Sequence, residues 1–281
     1  MLCFFRDTPT KESRSLAVAR YPVKSLAKAL RLLDTLGKSN NGAGIASLSG
    51  ELKLGKSTVH RMLATLREFD LAWFDPETCN YSLGPRVLRW SEMLERQNLA
   101  IRYGLPILRG LVERCGESAT LAVLEGRDVV SIARCESNHR LRVNDVLGGR
   151  TPSHCTALGK VLLSPLSEAA FRALYDDSEP LKAVTPNSIT SAQKLWEHLT
   201  KVRHDRVAYD FEENIIGGIC LAAAVYNHNG RAVAAMSLSL PTQRLRGDIL
   251  ITLKEHLLEA AARLSAELGH APEGRADVAT A

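Results

Sequence analysis

Between residues 23 and 83 three helical patterns are followed by a hairpin pattern, and few folds accept that order. From 23 to 37, V-K-S-L-A-K-A-L-R-L-L-D-T-L-G puts Leu26, Leu30, Leu33 and Leu36 on one stripe and stops at Gly37. A loop, K-S-N-N-G-A-G, comes next, and Ile45 and Ala46 suit a very short strand. Ser47 is placed to cap a short helix that turns Leu48 and Leu52 inward. After a tight turn at Leu54-Gly55, Ser57 or its neighbour is placed to cap a longer helix running to about Phe69. Its Val59, Met62, Leu63 and Leu66 fall at i, i+3, i+4 and i+7, the spacing of a buried face. Asp70 stands where a left-handed C-cap is expected, a conformation that Asp tolerates. L-A-W-F, D-P-E-T and N-Y-S-L then read as two short strands around a Pro-containing turn. Helix, short helix, turn, longer helix and hairpin is the order of a winged helix-turn-helix.

A helix laid in the major groove of DNA needs an apolar back and a polar, basic front. The helix from 57 to 69 offers both. Ser57, Thr58 and Arg61 cluster on one side near its N-terminus, where Arg can pair with guanine and the hydroxyls can reach bases or phosphates. Lys56, His60 and Arg67 are better placed for phosphates, as is the tip of the hairpin. The charge agrees with this. The net charge is +5, and residues 1–98, with 15 Lys/Arg against 10 Asp/Glu, carry all of it. Any amphipathic surface helix turns polar residues outward, so K-S-T-x-x-R alone says little. The agreement of helix order, turn spacing, hairpin and local charge is what points to DNA.

Gly84-Pro85 punctuates the chain, and R-V-L-R-W-S-E-M-L-E-R-Q reads as a linker helix over 85–98. Its stripe of Val87, Trp90 and Leu94 is too small to stand alone and calls for a packing partner. From 99 to 268 the pattern is mixed α+β. Helices are expected over 101–115, at T-A-L-G-K-V-L-L, at S-E-A-A-F-R-A-L, from a Thr190/Gln193 capping box to about Arg203, and over 246–267. Strands are expected at T-L-A-V-L-E, D-V-V-S-I-A-R-C, R-L-R-V, I-C-L-A-A-A-V-Y and R-A-V-A-A-M-S-L-S-L, with an Asn-Gly turn joining the last two. Residues 1–20 read as a disordered arm without the apolar core of a signal peptide, and 269–281 as a disordered tail. No apolar run reaches the roughly 20 residues that span a bilayer. Six cysteines form no C-x-x-C pair and match no zinc template, as expected of free thiols in a reducing cytoplasm.

The last hairpin has a predictable face. A two-residue Asn229-Gly230 turn pairs Cys220 with Ser239 and Ala222 with Ser237; a four-residue loop pairs Cys220 with Ser237. In either register Cys220, Ser237 and Ser239 share a face with Ala222, Ala224 and Ala235, while Leu221, Met236 and Leu238 take the other. Small residues leave room, and hydroxyls and a thiol give polar contacts, as a ligand pocket needs. Buried Ser and Cys also serve as ordinary core residues. The helix beginning near Thr156 adds free N–H groups that suit a carboxylate.

K-S-L-A-K-A-L-R-L-L-D, L-G-K-S-T-V-H-R-M-L-A-T-L-R-E-F and Y-S-L-G-P-R-V-L resemble the DNA-binding domain of IclR-type bacterial regulators. R-T-P-S-H-C-T-A-L-G-K-V-L-L, Y-D-F-E-E-N-I-I-G-G-I-C-L-A-A-A-V and V-A-A-M-S-L-S-L-P resemble their C-terminal half, so that the likeness covers about 22–267 in order. It implies a winged helix-turn-helix at 21–84 and a C-terminal GAF-like α+β domain with an antiparallel sheet that binds an effector. The effector pocket it implies comprises the backbone of Ala157 and Leu158 with the side chains of Asp210, Cys220, Ser237 and Ser239, and the ligand is a small organic or aromatic acid. Two residues depart from the family pattern: Asp70 and Leu240 stand where Gly is usual, and Leu240 is placed to narrow the pocket.

The partners implied are a double-stranded DNA operator, a small-molecule effector and a second copy of the chain, since one helix-turn-helix reads only a half-site. The N-terminal helices and the linker helix are the expected dimer surfaces, and the resemblance adds pairing of dimers into tetramers. No cofactor, resident metal or membrane partner is expected. A Cys-dependent hydrolase using Cys155 or Cys220 with His154 is the competing reading, although no G-x-S-x-G elbow or phosphate loop is present. Zinc at His154, Cys155 and His139 lacks a full ligand count, and Asp210, Glu212 and Glu213 read as loop hydrogen-bonders rather than a metal site. A pure scaffold leaves the polar front of 57–67 unexplained.

Overall fold

The computed structural model describes residues 23–271 apart from 144, 177 and 179, so the arm expected over 1–20 and most of the tail expected over 269–281 lie outside the described residues. The chain divides into two compact units, Met1–Gln97 and Asn98–Ala281.

The first unit runs α1 (Lys24–Lys38), α2 (Ile45–Leu52), α3 (Lys56–Glu68), β1 (Ala72–Asp75), β2 (Asn80–Leu83) and α4 (Arg86–Gln97). Strands β1 and β2 pair antiparallel from Ala72↔Leu83 to Asp75↔Asn80. Leu32, Leu36, Leu48, Val59, Leu63 and Leu66 close the core with Ala72 and Tyr81. The stripe expected on α1 is only half used: Leu26 and Leu30 are 58% and 53% exposed, and only the C-terminal half of α1, at Leu32, Thr35 and Leu36, is buried. The short strand expected at Ile45–Ala46 is a single bridge two residues earlier, where Ala43 N–H donates to Tyr81 O (2.8 Å) and Tyr81 N–H to Ala43 O (3.0 Å). Gly42, at φ +71°, swings Ala43 alongside β2, and a Cβ on it would lie 2.8 Å from Tyr81 O. The N-caps are Gly44 and Gly55 rather than Ser47 and Ser57, and neither has a side-chain cap. Asp70 takes the left-handed conformation, φ 55°.

The second unit runs α5 (Leu99–Cys115), β3 (Ser118–Glu125), β4 (Asp128–Cys135), β5 (Arg150–Pro152), α6 (Ala157–Leu163), α7 (Glu168–Leu174), α8 (Ala192–Asp205), β6 (Ala208–Phe211), β7 (Gly218–Tyr226), β8 (Ala232–Pro241) and α9 (Ile249–Glu267). Its antiparallel sheet has the order β5-β4-β3-β8-β7-β6. One face packs Leu221, Met236 and Leu238 against Leu108 of α5 and Leu257 of α9. The other packs Ala222, Ala224 and Ala235 against Ala157, Leu158 and Val161 of α6. Leu240 joins the first face, so it does not narrow the space under α6.

Three expectations are corrected here. R-L-R-V forms no strand, and the carbonyl of its last residue, Val143, is taken by the Arg134 guanidinium (2.8 Å). The cap of α8 is Ser191, which accepts from Lys194 N–H (3.4 Å), not Thr190. The last turn spans Asn227 to Arg231, where the Asn227 side chain accepts from Asn229 and Arg231 N–H (3.0 and 3.1 Å). Val233 bulges between the pairs Val225↔Ala234 and Tyr226↔Ala232, so Cys220 still faces Ser239 and Ala222 still faces Ser237.

Candidate functional site

In α3 the buried Val59, Leu63 and Leu66 hold the helix on its unit. Lys56, Ser57, His60, Arg61 and Arg67 lie exposed and Thr58 half-buried. Among the described residues nothing hydrogen-bonds or ion-pairs with the Arg61 guanidinium, which leaves all its donors available. The Arg67 guanidinium instead sits 5.4 Å from the Phe74 ring centroid and ties the hairpin to the end of α3. The hairpin tip does not suit phosphates as expected. Asp75 accepts from Glu77 N–H (3.0 Å) and Thr78 Oγ1 (2.6 Å), bonds that lower its pKa, and Glu77 lies exposed beside it. Two carboxylates there repel a phosphate backbone.

Ala157, Leu158, Asp210, Cys220, Ser237 and Ser239 come together around one cavity in the second unit. The register explains why. Ser239, Cys220 and Asp210 form one cross-strand row over β8, β7 and β6, and Ser237 stands one row away on the same face. The Cys220 thiol donates to Ser239 Oγ (3.1 Å), while Ser237 Oγ is buried with no partner among the described residues. Asp210 Oδ1 accepts from Glu213 N–H (2.6 Å) and Asn214 N–H (3.3 Å). Burial pushes the Asp210 carboxyl up to about 7, with the Glu213 N–H bond acting in the other direction. On α6, Thr156 accepts from Gly159 N–H through its hydroxyl (3.1 Å) and from Lys160 N–H through its carbonyl (3.0 Å). No partner for the Ala157 or Leu158 N–H is found among the described residues. Ser131, Asp145, Thr151 and Asn214 also line the cavity, and sequence reasoning missed all four. Pairing of β5 with β4 could have flagged Thr151; nothing in the pattern of the 136–149 segment marks Asp145.

The volume in which the centre of a water molecule fits is about 30 Å³, room for a water or two at the roughly 10–15 Å³ each requires. A larger ligand must therefore displace part of the wall.

Beneath this wall Lys160 is fully buried. Its ammonium donates to Tyr209 O (2.9 Å) and to the Glu213 carboxylate. Glu213 O in turn accepts from Ser188 Oγ (2.6 Å) and Thr185 Oγ1 (3.0 Å).

The arrangement does not suit nucleophilic catalysis. Burial, together with the charges of Asp210 and Glu213, pushes the Cys155 thiol up to about 12, and burial raises Cys220 as well. Burial lowers the His154 pKa, and His154 Nε2 is engaged with Lys182 O (2.9 Å) rather than a thiol. A thiol nucleophile needs an adjacent base and a thiolate, and neither condition is met. Among the described residues no group of three or more His, Cys, Asp or Glu could hold a metal ion, and no helix is long and apolar enough to cross a membrane.

Residues 91–266 match the family model described as "Bacterial transcriptional regulator IclR C-terminal", and residues 25–76 match "IclR helix-turn-helix domain". The chain is 32% identical to the HTH-type transcriptional regulator XynR of Escherichia coli (strain K12), covering 88% of this chain and 98% of that protein. It is 31% identical to the transcriptional repressor IclR of the same organism, covering 93% and 97%. Among solved structures it is similar to the IclR protein of Thermotoga maritima, with a TM-score of 0.77, 26% identity and coverage of 88% and 99%. An IclR homologue from Microbacterium hydrocarbonoxydans, solved with 4-hydroxybenzoate, shares the fold at a TM-score of 0.71 and 21% identity, covering 87% and 98%.

Proposed function

The chain belongs to the IclR family of bacterial transcriptional regulators, and we propose that residues 21–84 read a DNA operator through α3, that 85–98 link, and that 99–268 bind a small carboxylic acid controlling operator affinity. It is a regulator and not an enzyme. The observation that carries the DNA reading is the free front of α3: Arg61 exposed and unengaged above a fully apolar back. Ser57 and Thr58 flank it for bases or phosphates, and Lys56, His60 and Arg67 serve phosphates.

Arg61→Ala is expected to lower operator affinity about 10–100-fold, the 1–3 kcal/mol of one bidentate base contact. The circular dichroism spectrum should not change, because the side chain supports nothing in the fold. A gel shift with operator DNA checks this, and unchanged affinity would remove α3 from the interface.

For the effector, we assign the backbone of Ala157 and Leu158 and the side chains of Asp210, Cys220, Ser237 and Ser239. The support is their convergence on one partly polar cavity, with Ser237 Oγ buried and unpaired. Small acids, 4-hydroxybenzoate among them, are the first ligands to screen by thermal shift, since a ligand bound only by the native state raises its melting temperature. In Cys220→Ala/Ser239→Ala the release of DNA by effector should be lost while binding without effector persists. A normal response would refute the assignment.

The regulator is read as a cytoplasmic repressor that binds as a dimer, with dimers pairing into tetramers. Leu26 and Leu30 on α1 and Leu88, Trp90 and Met93 on α4 are exposed apolar residues suited to a self-complementary contact.

A further inference from the structure

The free Ala157 and Leu158 N–H groups and the serine hydroxyls offer an acid donors but no charge: none of the residues lining the cavity is a cation, and two of them, Asp145 and Asp210, are carboxylates. Lys160 is occupied by Glu213 and Tyr209. The charge nearest to spare belongs to Arg134. On β3, Thr120 pairs with Arg134 on one side and with Ser237 on the other, so these three residues form one row on the face that carries the cavity. The Arg134 side chain is 6% exposed. Its two terminal nitrogens donate to the carbonyls of Val143 and Asp145, both residues of the cavity wall, so the guanidinium lies directly behind that wall. Its Nε is buried without a hydrogen-bond partner, as is Ser237 Oγ. Glu136 does not neutralise it: that carboxylate lies 4.0 Å from Nε, is half exposed, and is held at 2.7 Å by Arg142.

A buried guanidinium that donates to two carbonyls and keeps one N–H unpaired, with the Asp145 and Glu136 carboxylates near it but neither hydrogen-bonded to it, is incompletely satisfied. A carboxylate meets its planar fork with two parallel charge-assisted bonds, roughly twice as strong as neutral ones. We infer that Arg134 is the cation of the effector site, and that the effector carboxylate displaces the Val143 and Asp145 carbonyls from the guanidinium, freeing these two wall residues from it. The exchange accounts for two features together. It opens a cavity too small for an organic acid, and it carries the Asp145 carboxylate away from the incoming anion. The inference rests on the reading of the cavity as an acid-binding effector site.

The test uses the full-length protein and calorimetric titration with acetate, lactate, benzoate and 4-hydroxybenzoate, each compared with its primary amide. The wild type should bind at least one acid about 100-fold more tightly than its amide, the scale of a desolvated charge pair. In Arg134→Met that ratio should fall to near 1. Arg134→Lys, which keeps the charge but loses the fork, should lie between them and serves if the Met variant does not fold; operator binding without acid reports the fold. A role confined to holding the wall would weaken acid and amide alike and leave the ratio unchanged, which overturns the inference while the effector reading stands. A wild type that binds none of the acids overturns both.

Discussion

Lys160→Met is expected to destabilise the second unit by about 3–5 kcal/mol, the usual cost of removing one partner from a buried ion pair. The substitution keeps the length and much of the volume of the side chain. What it leaves behind is the Glu213 carboxylate, whose second oxygen already has no partner among the described residues. Burial raises the Glu213 pKa while Lys160 opposes the rise, so removing the ammonium raises it further. The sign of the pH dependence follows. A carboxyl whose folded pKa lies above its unfolded value favours the fold at low pH and loses that contribution as the pH rises through the folded pKa. The deficit of Lys160→Met should therefore be larger at pH 8 than at pH 5. Lys160→Met/Glu213→Gln, which leaves no charge behind, should recover most of the loss. Urea denaturation of the wild type, both single variants (Lys160→Met and Glu213→Gln) and the double variant measures the coupling, and a double variant as unstable as Lys160→Met would show that packing, not charge, is what Lys160 supplies.

The second large effect is expected one residue earlier. A Cβ on Gly159 would stand 2.1 Å from Ser153 O and 2.2 Å from Ser153 Cα, both backbone atoms. Ser153 cannot yield: it is fully buried, its N–H and hydroxyl both reach Arg127 O (2.9 and 2.7 Å), and its hydroxyl also meets the Tyr175 hydroxyl (2.7 Å). Gly159→Ala must push α6 off the turn beneath it, and a loss above about 4 kcal/mol or failure to fold is expected. The control is Gly110→Ala in α5, where a Cβ meets nothing within 4 Å and alanine is the better helix former by about 1 kcal/mol. Melting temperatures should move in opposite directions. A soluble Gly159→Ala melting with the wild type would mean that α6 has room above Ser153 for a methyl group.

Periodicity carries far in this chain, and its reach has physical limits. The buried face of α3 was legible because an apolar stripe at 3.6 residues per turn has one geometric solution. The shared face of Cys220, Ser237 and Ser239 was legible because strands alternate, whichever turn joins them. Caps were not: Ser47, Ser57 and Thr190 read as caps, whereas the backbone dihedrals place Gly44, Gly55 and Ser191 there. Lys160 reads as the polar side of a helix, and only the fold shows a carboxylate waiting above it. Arg134 was invisible for a similar reason. One arginine in a strand has no partner in the sequence, and the carbonyls it holds belong to Val143, the end of a segment that reads as a strand, and to Asp145 just beyond it.

The extra residue at Val233 separates the tip of the last hairpin from the part of the sheet that holds the serines. A chain that gains or loses a residue between Asn227 and Arg231 can absorb the change by reshaping this irregularity, leaving Cys220 opposite Ser239. Length variation at this loop should thus be silent for small-molecule sensing, which makes it a suitable place to graft a peptide label.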